Sequence, residues 1–173
     1  MELVYAPSEI LKTPTINVDE DMDNIVQYGK QMYDLMMKSN GVGLAAPQVG
    51  INKSFFIMGS RESYTIITNP KIIESSKDLV KMEEGCLSFP DLYLKVLRPD
   101  NVTVEYVNTI GKRVTEKLES MVSRIFQHET DHTNGITYDT RVSKLALDIA
   151  TRKRNKLWRK HGRAIWPNRT SSW

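Results

Sequence analysis

The chain has 173 residues, 40% hydrophobic and 26% charged, which suits one globular domain with a sizeable core. No apolar run reaches the length of a membrane span, and a single cysteine excludes an internal disulfide. The net charge of +3 conceals an asymmetry: residues 144–173 hold nine Lys or Arg against Asp148 alone, leaving residues 1–143 at −5.

The lone thiol fits a reducing compartment, and MELVYAPSEI has neither a basic leader nor an apolar segment. No export signal and a cytoplasmic location are therefore expected. There is no internal repeat or low-complexity segment.

Residues 1–18, punctuated by Pro7 and Pro14, are expected to be extended or looped. Asp19 to Ser39 reads as a helix, with Asp19, Glu20, Asp21 and Asp23 at its positive end. Ile25, Gly29, Met32 and Met36 share one face, and Asn40-Gly41 ends it. The next segment, GVGLAAPQVG (Gly41 to Gly50), surrounds one polar side chain, Gln48, with small residues. Small residues let another backbone approach, so this edge could pair with an extended peptide, and a carboxamide held there could donate to an oxyanion. A tight turn with a solvated Gln is the plain alternative.

Ile51 to Ser60 and Tyr64 to Ile73 are strand-like, with Asn69-Pro70 interrupting the second. EEGCLSFP (Glu83 to Pro90) reads as a loop around Cys86, which is either a small buried hydrophobe or a thiolate ligand. Tyr93 to Leu97, Asn101 to Val107 and Val114 to Leu118 continue as strands, the last after a turn at Gly111.

Ser120 to Gly135 then switches to helical spacing, with Met121, Val122, Ile125 and Phe126 on the stripe that continues to His128, Glu129 and His132. Ser120 is the expected N-cap and Gly135 the left-handed stop. Strands in the middle and one site helix after them make an α+β pattern.

Histidines four apart on a helix share a face, so H-E-x-x-H directs two imidazoles at one metal and sets Glu129 beside a water there. With three His and eleven Glu in the chain, random placement yields about 0.003 such matches, so chance explains it poorly. Two solvated helix histidines are the bland alternative. A third ligand is not visible downstream: position 138 is Tyr, no Glu follows Glu129, and His161 lies in the basic tail. It must come from upstream.

GVGLAAPQ, EGCLS and QHETDH, in this order, closely resemble the three signature motifs of the peptide deformylases, over roughly residues 3–150. EGCLSFPDLYLKVLRP and SRIFQHETDH are most similar to the type 1B branch. The resemblance implies an α+β fold of antiparallel sheets packed around a central helix carrying the histidines. It also implies a catalytic domain over 1–150 and a short basic tail over 151–173.

Carried over residue by residue, the resemblance implies Cys86, His128 and His132 as metal ligands and Glu129 as general acid/base. Gln48 and the backbone N–H of Leu87 become the oxyanion donors, and Gly43 the edge that pairs with the substrate backbone. Val42, Glu84, Met121 and Ile125 align around a methionine pocket, while Arg98 and Asp131 align with an Arg–carboxylate pair that fixes the helix. The implied reaction removes formate from N-formylmethionyl peptides with one divalent ion, expected to be Fe(II), with Zn, Ni or Co as substitutes.

Two positions and one segment depart from the family pattern. Thr133 stands where Leu is usual after H-E-x-D-H, a smaller and more polar choice expected to loosen packing. Tyr93 replaces an Arg of one branch. The tail from Thr151, with Trp158, Trp166 and Pro167, departs from the longer C-terminal helix of many bacterial members. A ribosome contact through this basic tail is one expectation, and a merely solvated basic end the other. Two further readings compete: a zinc endoprotease, disfavoured by the missing downstream ligand, and a nucleic-acid binder, disfavoured by the acidic main body.

Overall fold

A sheet covered on both faces explains the apolar middle of the chain. The computed structural model describes residues 1–19 and 22–161. In chain order its elements are α1 (Met22–Lys38), β1 (Gly43–Ala45), β2 (Phe55–Gly59), β3 (Tyr64–Ser75), β4 (Leu79–Cys86), β5 (Phe89–Pro99), β6 (Val102–Val107), β7 (Arg113–Leu118), α2 (Ser120–Thr133) and α3 (Lys144–His161). Five strands form an antiparallel sheet in the order β1-β2-β3-β6-β7, and β4 and β5 form a separate antiparallel ribbon.

Alternate side chains of a strand face opposite ways. In β2, Phe55 and Ile57 enter a core with Met32 and Met36 of α1, whereas Phe56 enters another with Phe126 of α2. Phe55-Phe56-Ile57 therefore lacks polar alternation because α1 covers one face of the sheet and α2 the other. The α+β expectation of antiparallel sheets packed around the histidine helix holds.

Helix α2 is held from its other side by the β4–β5 ribbon. From Ser123 to Thr133 nearly every residue is buried, although most are polar. Such burial demands partners. Gln127 donates to Pro99 O and Ser123 Oγ, each at 3.0 Å. Thr133 donates to Thr130 O at 2.8 Å, and its own carbonyl accepts from Thr15 N and Thr15 Oγ1 at 2.9 and 2.8 Å. The polar residue expected to loosen this helix end is thus fully hydrogen-bonded and ties it to the N-terminal segment.

Several boundaries differ from expectation. Asn69-Pro70 does not interrupt β3. The strand passes it with a register shift, Asn69 adopts φ 49°, and its side chain clamps Val18 N and O at 2.8 Å each. Residues 83–90 are two strand ends and a tight turn rather than a free loop, with Cys86 paired to Phe89. Ser120 is not an N-cap: it has φ 54° inside the first turn, and Glu119 takes the cap position without a side-chain bond. A short 3₁₀ turn, Glu9–Lys12, interrupts the extended N-terminus.

Gly135 does terminate the helix region at φ 70°, and a Cβ there would lie 2.6 Å from Lys12 O. Helix α3 runs through residue 150 and Thr151 to His161, so the start of the expected tail is helical. Glu20, Asp21, the side chain of Asp23, and Arg163, Trp166, Pro167 and Arg169 of the tail lie outside the described residues.

Candidate metal centre

Three donors from two elements converge. Cys86 closes β4 at the ribbon's turn, and His128 and His132 stack one turn apart on α2. Their ligand atoms lie within 4.8 Å of one another, and Cys86 Sγ is 3.3 Å from His132 Nε2. Both imidazoles are buried, which removes the bland alternative of solvated helix histidines.

Glu84 shows how the donors are aimed. It lines the cavity described below, but its carboxylate is fully engaged elsewhere. Oε1 accepts from Arg98 Nε at 2.7 Å and Arg124 Nη1 at 2.9 Å; Oε2 accepts from Arg98 Nη2 at 3.0 Å and contacts His128 Nδ1 at 2.9 Å. Burial pushes this carboxyl toward neutrality, yet hydrogen bonds from His128 and Arg98 outweigh it and hold the group well below the usual range. An ionised carboxylate only accepts, so His128 carries its proton on Nδ1 and keeps Nε2 for a metal.

Arg98 Nη1 also donates to Asp131 Oδ2 at 2.6 Å, and Arg141 joins through Nε and Nη2. The expected Arg98–Asp131 pair is present and buried, with 3% and 8% side-chain exposure, so it is no surface ion pair.

Electrostatics divide the two imidazoles. Burial lowers His128, but bonds to Cys86 and Glu84 override it and raise the group to about 10, so a cation bound at Nε2 would take the place of a proton there. Burial, then the charge of His128, pushes His132 well below its ordinary value. Burial lifts Glu129 to about 7 against the pull of His128.

Glu129 is buried with Oε2 unpartnered among the described residues. A Cβ on Gly43 would lie 2.4 Å from its Oε1, so only glycine leaves room for this carboxylate beside β1.

Gln48 is buried at 1% exposure, not solvated. Its Oε1 accepts from Ala45 N at 2.8 Å, which identifies the other end as nitrogen and turns Nε2 toward Cys86 Sγ and Ser88 Oγ, each at 3.3 Å. The N-terminal segment braces both partners, through Val4 N to Gln48 O at 2.8 Å and Ala6 N to Ser88 O at 2.9 Å.

One cavity borders these groups. Val42, Gly43, Gln48, Glu84, Cys86, Leu87, Met121, Ile125, His128 and Glu129 all line it, leaving only His132 of the expected site residues behind the wall. Other contributors were not expected as site residues: Arg124, Ser88 behind Gln48, and a wall of Phe89, Asp91 and Leu92. Arg124 was findable, since it precedes His128 by one helical turn. Tyr138, where some metal hydrolases carry histidine, instead packs its ring 5.6 Å from that of His128 and donates to Leu92 O at 2.7 Å.

One thiolate and two imidazoles, one of them oriented by a carboxylate, fit a divalent cation of borderline softness. Cys86 stands within reach of both imidazoles, where a third ligand is needed and none is found downstream. No described helix is long and apolar enough to cross a membrane.

The family profile described as Polypeptide deformylase matches residues 1–147. The chain is 37% identical to the chloroplastic peptide deformylase 1B of Oryza sativa over 155 residues, covering 86% of this chain and 56% of that longer protein. It is 42% identical to a peptide deformylase of Thermotoga sp. over 136 residues, or 74% of this chain and 83% of that one. The crystal structure of Thermotoga maritima peptide deformylase superposes with TM-score 0.79 at 37% identity, covering 82% of this chain and 97% of that one. That of an Arabidopsis thaliana peptide deformylase 1B G41M mutant does so with TM-score 0.83 at 34% identity, covering 98% and 97%. A cysteine from the ribbon joining H-E-x-x-H on the central helix, and this match over most of the chain, make one conclusion: the protein belongs to the peptide deformylase family, metal-dependent hydrolases that remove the N-terminal formyl group from nascent peptides.

Proposed function

We propose that this chain releases formate from N-formylmethionyl peptides at the Cys86–His128–His132 centre, with Glu129 as general acid/base. The convergence of the thiol and both imidazoles beside Glu129 carries this reading. A divalent ion held by these three side chains supplies the Lewis acidity that makes water nucleophilic at neutral pH. Glu129 accepts a proton from the attacking water and returns it to the departing amine nitrogen. Gln48 Nε2 and the Leu87 N–H donate to the carbonyl oxygen as it gains charge, each donor contributing about 3–4 kcal/mol.

Substrate placement follows from the sheet. Among the described strands β1 pairs with β2 alone, so Gly43 offers its open edge to an extended peptide. Val42, Met121 and Ile125 give the cavity an apolar flank that suits a methionine side chain, with Glu84 behind it. The close seat of Gly43 against Glu129 supports a steric limit that admits hydrogen but not a methyl group on the acyl carbon; Leu44, first expected to share this wall, instead points into the core with Met32 and Met36. Comparable turnover of N-acetyl and N-formyl methionyl peptides would refute that steric role.

Fe(II) is the ion we assign, from the family resemblance; the thiolate and two imidazoles suit Zn, Ni or Co as substitutes and do not choose among them. The decisive experiment is an anaerobic formate-release assay on a formyl-Met tripeptide with metal analysis of the same sample. A metal-replete preparation that leaves the peptide blocked refutes the assignment.

Within α3, Lys144, Arg152, Lys153, Arg154, Lys156, Arg159 and Lys160 face only one acid, Asp148. This supports a ribosome contact, which predicts salt-sensitive co-sedimentation. The single reduced thiol supports the cytoplasmic assignment.

A further inference from the structure

The ribbon that carries Cys86 is irregular where it borders the cavity. Glu84 pairs with Leu94 and Cys86 with Phe89, so β5 holds three more residues than β4 between these two rungs. This bulge contains Asp91, at φ 57°, and it turns Asp91, Leu92 and Tyr93 toward the cavity that they line. A non-glycine residue in the left-handed region persists when its surroundings hold it there.

The hold comes from beyond the region matched by the family profile. Trp158, on the last turns of α3, donates its indole N–H to Asp91 Oδ2 at 2.8 Å. Arg154 lies over the same indole, 4.5 Å from the ring centroid, and braces it from within the helix. Below this contact, Leu147 and Ala150 of α3 pack on the core formed by Leu92, Leu94, Val96 and Tyr138, so the helix is seated on β5 along its length.

We infer that Trp158 is a positioning residue for substrate: it pins the β5 bulge through Asp91 and so sets the cavity wall facing the peptide. The pin is a statement about geometry, while its kinetic consequence rests on the deformylase reading. Helix α3 is then part of the substrate site and not an appendage to it.

Two full-length variants test this, each removing one partner. Trp158→Phe keeps the ring under Arg154 but loses the donor; Asp91→Gly loses the acceptor in a residue that tolerates φ 57°. Hydrogen exchange by mass spectrometry should show faster exchange over residues 89–94 in both, with residues 79–84 unchanged. Metal content should stay at the parent level. For a formyl-Met tripeptide, KM should rise about three- to tenfold with kcat within twofold, the range one lost hydrogen bond produces. The double variant should resemble either single one, because both delete the same contact. Unchanged exchange over 89–94 overturns the pin, whatever the activity. Faster exchange with an unchanged KM overturns the role in substrate placement, as does a fall in kcat at constant KM. Parent protein that is metal-replete but inactive refutes the deformylase reading while the exchange result still decides the pin.

Discussion

Replacing Gly43 with alanine should impair turnover far more than folding. The new Cβ would sit 2.4 Å from Glu129 Oε1 and 2.9 Å from both Cδ and Cγ, against an ordinary contact of 3.4 Å or more. The carboxylate must therefore retreat by about 1 Å, and a displacement of that size at a reacting group can cost about 10²-fold in rate. The fold should suffer less. Glu129 Oε2 has no partner among the described residues, so the retreat breaks no bond there, and overpacking by one methyl costs about 1–3 kcal/mol. Three measurements on purified Gly43→Ala separate the effects: kcat for formate release, bound metal per chain, and unfolding by denaturant. The expected result is kcat down about 10²-fold with metal content at the parent level. Parent kcat in a metal-replete variant refutes the claim that Gly43 exists to seat Glu129. A loss of metal in step with activity relocates the damage to the ligands.

Glu129→Ala should bind metal normally and lose about 10²- to 10⁴-fold in kcat, measured by formate release alongside metal analysis; parent turnover would remove Glu129 from the mechanism. Asp131→Asn leaves the guanidinium of Arg98 buried against a weaker acceptor, so unfolding free energy should fall by about 3 kcal/mol and metal affinity should weaken. Stability and affinity both at parent level would reduce that pair to packing. Burial and a hydrogen bond to Glu116 raise the Tyr106 hydroxyl from 10.0 to about 12. Its folded pKa exceeds the unfolded one, so its contribution is complete below pH 10 and is lost as pH climbs toward 12. Denaturant midpoints from pH 9 to 12 should fall less steeply for Tyr106→Phe, and identical slopes would contradict this.

What could be read from the residues was what depends on neighbours in the chain. Helical spacing alone puts His128, Glu129 and His132 on one face, and the strand content around them was enough for an α+β fold. Two expected boundaries failed, one of them through a distant contact. Asn69-Pro70 looks like a break, yet Asn69 is held inside β3 by its bonds to Val18. Ser120 has the chemistry of a cap, but its backbone adopts φ 54° and Glu119 takes the place.

The site divides in the same way. Cys86 and His132 are 46 residues apart, and nothing in either segment announces the other; the family resemblance joined them, and the packing of ribbon on helix brings them to 3.3 Å. Glu84 was placed at the cavity without its task, because an acid's role depends on which charges surround it. Here Arg98, Arg124 and His128, from two elements, keep it ionised and make it the anchor of a metal ligand. Trp158 offered even less, since an indole in a basic tail has meaning only after the chain returns it to Asp91. Local order along the backbone supplied the ligand helix and the kind of chemistry. Long-range packing supplied the aim of each donor, because burial, charge and distance between remote residues exist only once the chain has folded.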